Sequence, residues 1–506
     1  MKRKVFLAAI AVLMLAASCG KEDGDDSAIV QQPTTESVSQ TGSQNEEETV
    51  ATTRPIVIRA TKGESLSKVS SSDGHTLTFE AGDKLTLKYA DDSECITLEM
   101  DGDYTGQTTA TFKGNIPTAA DGKYLYAEIG SALTGVASST TSLADVVSTN
   151  CYMKSAEFTY DANSEITNVF LSDQNAYIAI SLCPFSKTTS VTVNTTNVNL
   201  SEYKQVWVAV NGGTKVSISD LSVSDKTTVA GKIYKVNRNA FSVSDTKKVH
   251  FSKGNLQATA TVNGDNCSWT WGFAANQYDY LGAKSGSANT KFNNKGTVSQ
   301  SGIVDLFGWV GASSEWTGAA MYGVSSYQYT NQTFGYGTGA PESLKSDWGN
   351  VPGIGTGWST LTGGADGEWK YLLDTRTTTS NVRYARAKVA GVNGLIIVPD
   401  DWSTSTYNLQ ATNSASAKFT TNTIDATTWS NTFESAGAVF LPAAGYRYDG
   451  SKVNSEDYLG YYWSSSSSAQ SVHNAYNLYF GWSELSLATE QSYRSKGYSV
   501  RLVRSL

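Results

Sequence analysis

The sequence predicts a mostly β protein built from short strands and turns. Of its 506 residues only 17% are charged and 11% are aromatic, and glycine occurs 44 times. Runs in which apolar and polar residues alternate, such as residues 84–89, recur between clusters of Gly, Asp and Asn. Alternation with a period of two is typical of half-buried strands, and the intervening residue types are those that turns require. The 40% hydrophobic content is sufficient for packed cores.

The first residues are typical of a secretory signal. Basic residues are followed by an apolar run over residues 5–17 and by small residues that end on Cys19. The run is too short to remain in a bilayer as a spanning helix. The stretch before Cys19 resembles the lipobox of bacterial lipoproteins, although Ala16 stands where a leucine is usual and Leu15 lies one place too early. The resemblance implies a lipoprotein signal peptide at residues 1–19, with Cys19 acylated as an outer-membrane anchor. The alternative is an ordinary cleaved signal with an incidental cysteine.

Residues 20–54 are predicted to be a disordered tether, because they are polar and acidic with almost no apolar periodicity. The acidic cluster at residues 20–26 resembles the surface-export signal of Bacteroidota lipoproteins. That resemblance implies a lipid-anchored protein exposed at the cell surface. The alternative is that these acidic residues are only the start of a solvated tether.

Charge and cysteine usage exclude several classes of partner and cofactor. The net charge of −8 is incompatible with the basic footprint that nucleic-acid binding needs. With three histidines and no close cysteine pair, we predict neither a metal site nor a cofactor, and zinc least of all. Any metal would have to be a hard cation held by oxygens. After the anchor, the four cysteines form either two disulfides or buried free thiols; they are Cys95, Cys151, Cys183 and Cys267.

Residues 55–238 are predicted to form strands without any helix. The alternating runs lie at residues 56–58, 76–79, 84–89, 95–100, 110–113, 124–127, 176–180, 191–193 and 206–210. The run at residues 77–85, with its Gly82-Asp83 turn, and the closing run at residues 230–236 are similar to the fimbrillin-like proteins. The resemblance implies two transthyretin-like β-sandwich lobes, of the kind found in Bacteroidota pilus subunits and stalks.

Residues 239–506 resemble the major-paralogous-domain family of Bacteroidota surface lipoproteins. The blocks that carry the likeness are at residues 248–257, 269–274, 276–279, 305–309, 368–373, 393–402, 440–447, 462–465 and 497–503. The resemblance implies a C-type-lectin-like α+β domain, a fold shared with formylglycine-generating enzymes and with the variable proteins of diversity-generating retroelements. Local pattern predicts one amphipathic helix near residues 367–376, with Trp369, Leu372 and Leu373 on its apolar face.

The segment at residues 464–498 is the candidate recognition surface. Alternation predicts that Leu478 and Phe480 face the core and that Asn477 and Tyr479 face solvent. Tyr and Trp provide large contact areas for few rotatable bonds. The candidate ligand contacts are Tyr479, Trp482, Glu484, Ser486, Tyr493, Lys496, Tyr498 and His473. In retroelement variable proteins the varied positions lie in this segment, so the resemblance implies diversified ligand contacts. The other interpretation is that exposed aromatic residues here only cap loops, with Tyr462 and Trp463 in the core.

No catalytic residue is predicted. Formylglycine-generating enzymes use cysteines late in the domain, whereas this chain has none after Cys267. No spacing singles out a glycosidase pair among the carboxylates of this half, which include Asp374, Asp400, Asp401 and Glu434. The Glu-Pro-Asn and Trp-Asn-Asp triplets of calcium-dependent lectins are absent, so calcium-dependent sugar binding is not predicted.

The sequence therefore predicts a lipid-anchored surface binding protein or adhesin, in which a β stalk presents a lectin-like head to a protein or glycan ligand. One alternative is an accessory or tip subunit of a fimbria-like pilus, in which residues 55–238 polymerise by strand donation. Another is an enzyme acting on surface polysaccharide, which only the aromatic-rich and Gly-rich composition supports. Membrane lipid, through Cys19, and pilus subunits are the other expected partners.

Overall fold

A computed structural model describes most of the chain beyond residue 51. The described residues are 52–63, 77–221, 223–264, 266–287, 289, 301–309, 347–351, 353–447, 452–468, 471, 474–494 and 496–506. Cys19, the predicted tether up to residue 51 and His473 therefore lie outside them. Strands supply most of the regular structure in the described ranges, which confirms the mostly β prediction.

The first lobe, residues 52–173, is a sheet that closes on itself. Its strands, with β6 reaching into the next lobe, are β1 (Thr53–Lys62), β2 (Lys84–Tyr89), β3 (Glu94–Met100), β4 (Thr109–Pro117), β5 (Tyr124–Ile129), β6 (Ala137–Ser139), β7 (Met153–Ser155), β8 (Phe158–Thr159) and β9 (Thr167–Asp173). Eight of them pair in the order β2-β3-β4-β1-β9-β7-β5-β8, and β2 also pairs with β5. Alternate residues of β1, such as Ile56, Ile58 and Ala60, are buried inside, as period-two patterning predicts.

The first lobe also contains a short helix that the sequence analysis did not predict. Helix α1 spans Leu143–Thr149, and the Ser142 hydroxyl caps it by accepting a hydrogen bond from the backbone N–H of Asp145. Leu143, Val146 and Val147 pack into the lobe. Two turns are too short for helical periodicity to stand out, so the expectation of strands alone was wrong here.

The second lobe, residues 175–237, is a β-sandwich. Its strands are β10 (Asn175–Ser181), β11 (Ser190–Val193), β12 (Thr196–Asn199), β13 (Gln205–Asn211), β14 (Lys215–Ile218), β15 (Val223–Thr227) and β16 (Ile233–Asn237). They form two four-stranded sheets in the orders β16-β10-β13-β6 and β12-β11-β14-β15, and the two sheets share one aliphatic core. The predicted sandwich is confirmed, with β6 of the first lobe completing one sheet.

In the C-terminal region, residues 239–506, the described residues form many short strands and several short helices. The strands are β17 (Phe241–Ser242), β18 (Lys248–Phe251), β19 (Leu256–Asn263), β20 (Asn266–Phe273), β21 (Gly302–Val304), β22 (Trp358–Thr360), β23 (Tyr384–Val389), β24 (Val392–Ile397), β25 (Thr423–Ile424), β26 (Val439–Pro442), β27 (Tyr446–Arg447), β28 (Val453–Asn454), β29 (Gly460–Ser467), β30 (Asn474–Phe480), β31 (Leu485–Tyr493) and β32 (Leu502–Ser505). The second strand, β18, pairs with the last, β32, so the two ends of the region meet in one sheet.

The predicted amphipathic helix is present. Helix α2 begins at Glu368–Lys370 and continues as a π-helical turn over Tyr371–Thr375, and it buries Trp369, Leu372 and Leu373 completely. Helix α3 is built in the same way, from Ala426–Thr428 and Trp429–Glu434. Within the described ranges, no helix is long and apolar enough to cross a membrane.

The sheet β29-β30-β31 is covered on both faces. Tyr462, Leu478 and Phe480 belong to one core, whereas Trp463 and Ala475 belong to another. Residues 52–506 form one compact unit, so the division at residue 238 and the lectin-like fold of the C-terminal region stay predictions.

Candidate ligand-binding site

A cavity of ≈ 630 Å³ lies against the sheet β29-β30-β31 and is called the Tyr479 cavity below. All three strands and the hairpin between β30 and β31 contribute to it. The described residues that line it are Tyr461, Asn477, Tyr479, Glu484, Leu485, Ser486, Leu487, Gln491 and Ser492. Apart from Tyr461, these residues fall within residues 464–498, the segment that the sequence analysis selected.

A change of register between β30 and β31 shapes the cavity. Asn477 pairs with Glu490, whereas Tyr479 pairs with Ser486, so Leu478 alone stands opposite residues 487–489 of β31. Extra residues in one strand of a pair bend that strand and re-aim its side chains. The bulge in β31 accounts for a hollow at a place where a regular ladder would be closed.

An aromatic cluster borders the cavity. Tyr461 stands directly opposite Tyr479 in the sheet, and their ring centroids are 4.8 Å apart with an interplanar angle of 35°. The Tyr461 ring also stacks on Tyr498 at 4.6 Å and meets Tyr446 edge-on at 5.1 Å. Tyr498 in turn packs on Trp463 at 4.3 Å. Such packed rings are rigid, so the half-buried Tyr461 and Tyr479 present fixed aromatic surfaces.

Polar groups complete the lining. The Tyr479 hydroxyl donates a hydrogen bond of 3.2 Å to Glu484 Oε2. The hydroxyl of Ser492 accepts a hydrogen bond of 2.8 Å from Tyr498. The Ser486 hydroxyl oxygen is shielded from solvent and has no hydrogen-bond partner among the described residues. The cavity thus offers a carboxylate, hydroxyls and the amides of Asn477 and Gln491 beside aromatic rings.

A buried arginine fixes the hairpin at residues 481–484, which carries Trp482 and Glu484. The Arg386 guanidinium, on β23, donates to the backbone carbonyls of Gly481, of Glu484 at 2.5 Å and of Ala415 at 2.6 Å. Burial lowers the pKa of Arg386, and the neighbouring Tyr479 and Glu484 oppose that effect. Arg386 therefore holds the hairpin and places a positive charge beneath it.

The structure brings together only part of the predicted contact set. Tyr479, Glu484 and Ser486 line the Tyr479 cavity. Trp482 and Tyr493 are 52% and 48% exposed but do not line it. Trp482 belongs to the hairpin at the rim, whereas Tyr493 pairs with Asn474 at the far end of β31.

Lys496 lies apart from the cavity. Its Nζ is 5.7 Å from the centroid of the Tyr446 ring, and burial lowers the pKa of its ammonium group.

Two expectations about solvent exposure were wrong. Tyr498 is completely buried, because it is packed between Tyr461 and Trp463. Asn477 is also completely buried, although it still lines the cavity. Both residues are buried because the second core covers this face of the sheet. Tyr498 supports the aromatic surface from below instead of contacting a ligand.

Sequence reasoning missed several residues of the site. Tyr461, Asn477, Gln491 and Ser492 line the cavity but were not candidates. Alternation could have indicated that Tyr461 and Tyr479 lie away from the core of Tyr462 and Leu478, since each is next to one of these two residues. No pattern indicated Arg386, because alternation along β23 places it on the same face as the charged Lys388.

The three thiols and the histidine whose side chains the structure describes are buried or half-buried. Cys95, Cys151 and Cys183 are free, and burial raises the pKa of the Cys183 thiol to about 12. Burial lowers the pKa of His250 to about 4, and a ring nitrogen lies 2.8 Å from the carbonyl oxygen of Arg238. No three His, Cys, Asp or Glu side chains among the described residues are grouped as metal ligands.

Comparison with protein families gives one match. Residues 399–503 match the model of a family described as Domain of unknown function (DUF8237). The matched range contains β29, β30 and β31 and hence the whole described lining of the Tyr479 cavity. No protein of curated function matches the chain.

Comparison with solved structures gives weak likenesses to Bacteroides surface proteins. A fimbrial protein from Bacteroides ovatus ATCC 8483 is 10% identical, with 90% of this chain and 100% of that chain covered and a TM-score of 0.25. A candidate cell adhesion protein from Bacteroides uniformis ATCC 8492 is 12% identical, with 44% and 97% covered and a TM-score of 0.23. TM-scores this low carry no argument about fold or activity, so the function of this chain must be argued from its own residues.

Proposed function

We propose that the protein is a lipid-anchored cell-surface binding protein and that the Tyr479 cavity, with the hairpin at residues 481–484, is its ligand site. The observation that carries the proposal is the cavity itself. Its volume of ≈ 630 Å³ lies within the range of about 300–1,000 Å³ that is common for ligand sites. Its lining joins fixed aromatic surfaces to a few polar groups, which is the composition that gives both contact area and orientation.

Preorganisation supports the same assignment. Tyr461 and Tyr479 are held by cross-strand pairing, and the hairpin is held by Arg386 from below. Side chains that are fixed before binding lose little conformational entropy when a ligand arrives. The site can therefore bind without first ordering itself.

The anchor and the tether would give the site access to ligands outside the cell. Acylation of Cys19 buries methylene groups at about 0.8 kcal/mol each, and two or three chains suffice for stable retention. Replacing Cys19 by Ala should move the protein from the membrane fraction to the soluble fraction without changing its fold. If the Cys19→Ala protein stays in the membrane fraction and at the surface, the lipoprotein assignment is wrong.

The binding assignment is tested by panning the purified full chain against host and bacterial surface preparations. A site variant carries Tyr479→Ala, Trp482→Ala and Tyr493→Ala. A control variant carries Tyr124→Ala and Phe170→Ala, two aromatic residues of the first lobe that are 63% and 73% exposed. We expect the wild type and the control to bind the same preparations and the site variant to lose that binding. Equal binding by all three proteins would show that the site is elsewhere.

Diversification of this site is part of the proposal. The lining residues Tyr479, Glu484, Ser486 and Gln491 all fall within residues 464–498, the segment that corresponds to the varied positions of retroelement variable proteins. Comparing the coding DNA of this segment with nearby template repeats tests the idea. Absence of a matching repeat would contradict it.

A second candidate function is that of an accessory or tip subunit of a pilus. The supporting observation is a cleft of ≈ 450 Å³ between β15 and β16, the edge strands of the two sheets of the second lobe. Apolar and polar side chains line it in equal number, with Lys226, Arg238 and Asp401 among the charged ones. Edge strands present unpaired backbone groups to which another strand can add. Recovery of the protein in stoichiometric amounts from sheared fibres would favour this function, whereas its absence from fibres favours a free-standing adhesin.

A further inference from the structure

The lining of the Tyr479 cavity selects a chemical class of ligand. We propose that the site binds a neutral carbohydrate, with one sugar ring packed against Tyr479 and its hydroxyls bonded to the polar groups of the cavity. This inference rests on the proposed function, because it names the ligand of the same site.

Ring packing is the first argument. Tyr479 is half-exposed, lies one residue from the end of β30 and is backed by Tyr461 at 4.8 Å, so the ring is fixed and partly accessible. The face of an aromatic ring carries partial negative charge. The C–H groups on one side of a sugar ring are apolar and carry small positive charges. A flat aromatic surface of this kind therefore suits a sugar ring.

Hydrogen bonding is the second argument. Every hydroxyl of a sugar both donates and accepts, so it is best matched by groups that together do both. Glu484 provides acceptors, the amides of Asn477 and Gln491 provide donors and acceptors, and Ser486 provides a hydroxyl. The Ser486 oxygen is shielded and unbonded within the described part of the protein. Rotation of the Ser486 side chain into the cavity would let a ligand hydroxyl pair with this oxygen, which removes the free-energy cost of an unpaired polar atom.

Charge is the third argument. Glu484 is the only acidic or basic residue in the described lining. Arg386 lies beneath the same hairpin and is bonded to the carbonyl of Glu484. The positive charge of Arg386 offsets the carboxylate, so no uncompensated charge is left for an ionic ligand. An anionic sugar would also meet the Glu484 carboxylate directly, and like charges repel. The charges of Glu484 and Arg386 together favour a neutral sugar over a sialylated or sulfated one.

The test uses the purified full chain against three sets of immobilised probes. The first set contains neutral oligosaccharides of gluco, galacto, manno and xylo configuration. The second contains sialylated and sulfated oligosaccharides. The third is a displayed library of random peptides. The proteins are wild type, Tyr479→Ala, Tyr479→Phe, Glu484→Gln and the control Tyr124→Ala, each checked for native unfolding temperature.

We expect wild type to bind a subset of the neutral oligosaccharides. Tyr479→Ala should weaken that binding about 30-fold, as truncation of a central aromatic contact does. Tyr479→Phe keeps the ring and should retain most of the affinity. Glu484→Gln keeps the shape but loses a charge-assisted hydrogen bond, so it should weaken binding about tenfold. Tyr124→Ala should bind like wild type.

The other outcomes separate the inference from the proposed function. Binding of peptides alone, or of charged glycans alone, with loss in Tyr479→Ala, would overturn the carbohydrate assignment while the Tyr479 cavity remained the ligand site. Absence of any binding that depends on Tyr479 or Glu484 would overturn both.

Discussion

The first lobe and the C-terminal region provide hydrogen-bond partners for their backbone groups in different ways. The core of the first lobe is mainly aliphatic, with residues such as Ile58, Leu85 and Leu98 inside a sheet that closes on itself. In the C-terminal region the largest fully buried side chains include six tryptophans and five arginines. A closed sheet pairs its own backbone groups, whereas long loops need other donors. An arginine supplies five donors and is suited to that role.

Arg376 and Arg501 illustrate the second solution. Arg376 donates to Asp400 Oδ1 at 2.7 Å and to the carbonyls of Leu372 and Val398 at 2.6 and 2.7 Å. Arg501 donates to Asn255 Oδ1 at 3.1 Å and to Gln277 Oε1 at 2.9 Å. Burial lowers the pKa of each guanidinium to about 10, so both remain charged at neutral pH. Irregular segments that are held by such arginines can be as fixed as strands. They can therefore carry a binding site.

The largest effect is expected in the first lobe. Phe112 is completely buried and lies 5.6 Å from Phe79 between ring centroids. Phe112→Ala should lower the free energy of unfolding by about 4 kcal/mol, because it leaves a cavity in an aliphatic core. Urea unfolding followed by far-UV circular dichroism measures it. The variant should still bind ligand under native conditions, and a loss below about 1 kcal/mol would contradict the packing described.

The corresponding change in the C-terminal region is Arg386→Met. It removes the donors to the carbonyls of Gly481, Glu484 and Ala415 and should cost about 3 kcal/mol. It should also weaken ligand binding, because the hairpin is no longer held. Arg59→Met is the matched control, since Arg59 is exposed on β1 and its replacement should stay within about 0.5 kcal/mol. Equal effects of the two substitutions on stability would refute the role given to Arg386.

The first lobe and the C-terminal region each contain one buried carboxyl that should make the free energy of unfolding depend on pH. Burial raises the pKa of Asp305 in the C-terminal region and of Asp173 in the first lobe to about 6. In the unfolded chain an aspartate titrates near pH 3.9, so the folded state holds its proton more tightly. Each carboxyl therefore lowers the free energy of unfolding as pH rises from about 4 to about 6, by about 3 kcal/mol for the completely buried Asp305.

Tryptophan fluorescence reports mainly on the C-terminal region, because eleven of the twelve tryptophans lie in residues 239–506. Asp305→Asn should flatten the pH dependence of the transition seen by fluorescence more than Asp173→Asn does, and the part due to Asp173→Asn is reported by Trp207, which packs against the first-lobe core. A wild-type transition whose midpoint does not vary over this pH window would contradict the burial of Asp305.

The sequence predicted the strands well and the site only in part. Alternation identified β2, β3, β10 and β13, and it placed Leu478 and Phe480 in the core. A period of two shows which residues share a face but not whether that face is covered. Tyr498 and Asn477 were therefore expected outside, although a second core covers them. The bulge opposite Leu478 depends on how two strands pair over a distance, which no local pattern encodes.

The smallest effect is expected at the rim of the cavity. Trp482 is 52% exposed, so Trp482→Ala should change the free energy of unfolding by less than about 0.5 kcal/mol. Its effect on ligand binding should exceed its effect on stability, because the side chain stands on the hairpin beside Glu484. A large loss of stability without a change in binding would mean that Trp482 is structural.

The central claim is that the Tyr479 cavity is the ligand site. Amide hydrogen exchange of the full chain tests this claim most directly. It is measured with and without a saturating amount of an oligosaccharide that the immobilised-probe experiment has shown to bind. We predict slower exchange in β30, β31 and the hairpin between them, residues 474–493, with no change in the second lobe. Slower exchange confined to residues 175–237, or anywhere that excludes β30 and β31, would contradict the claim.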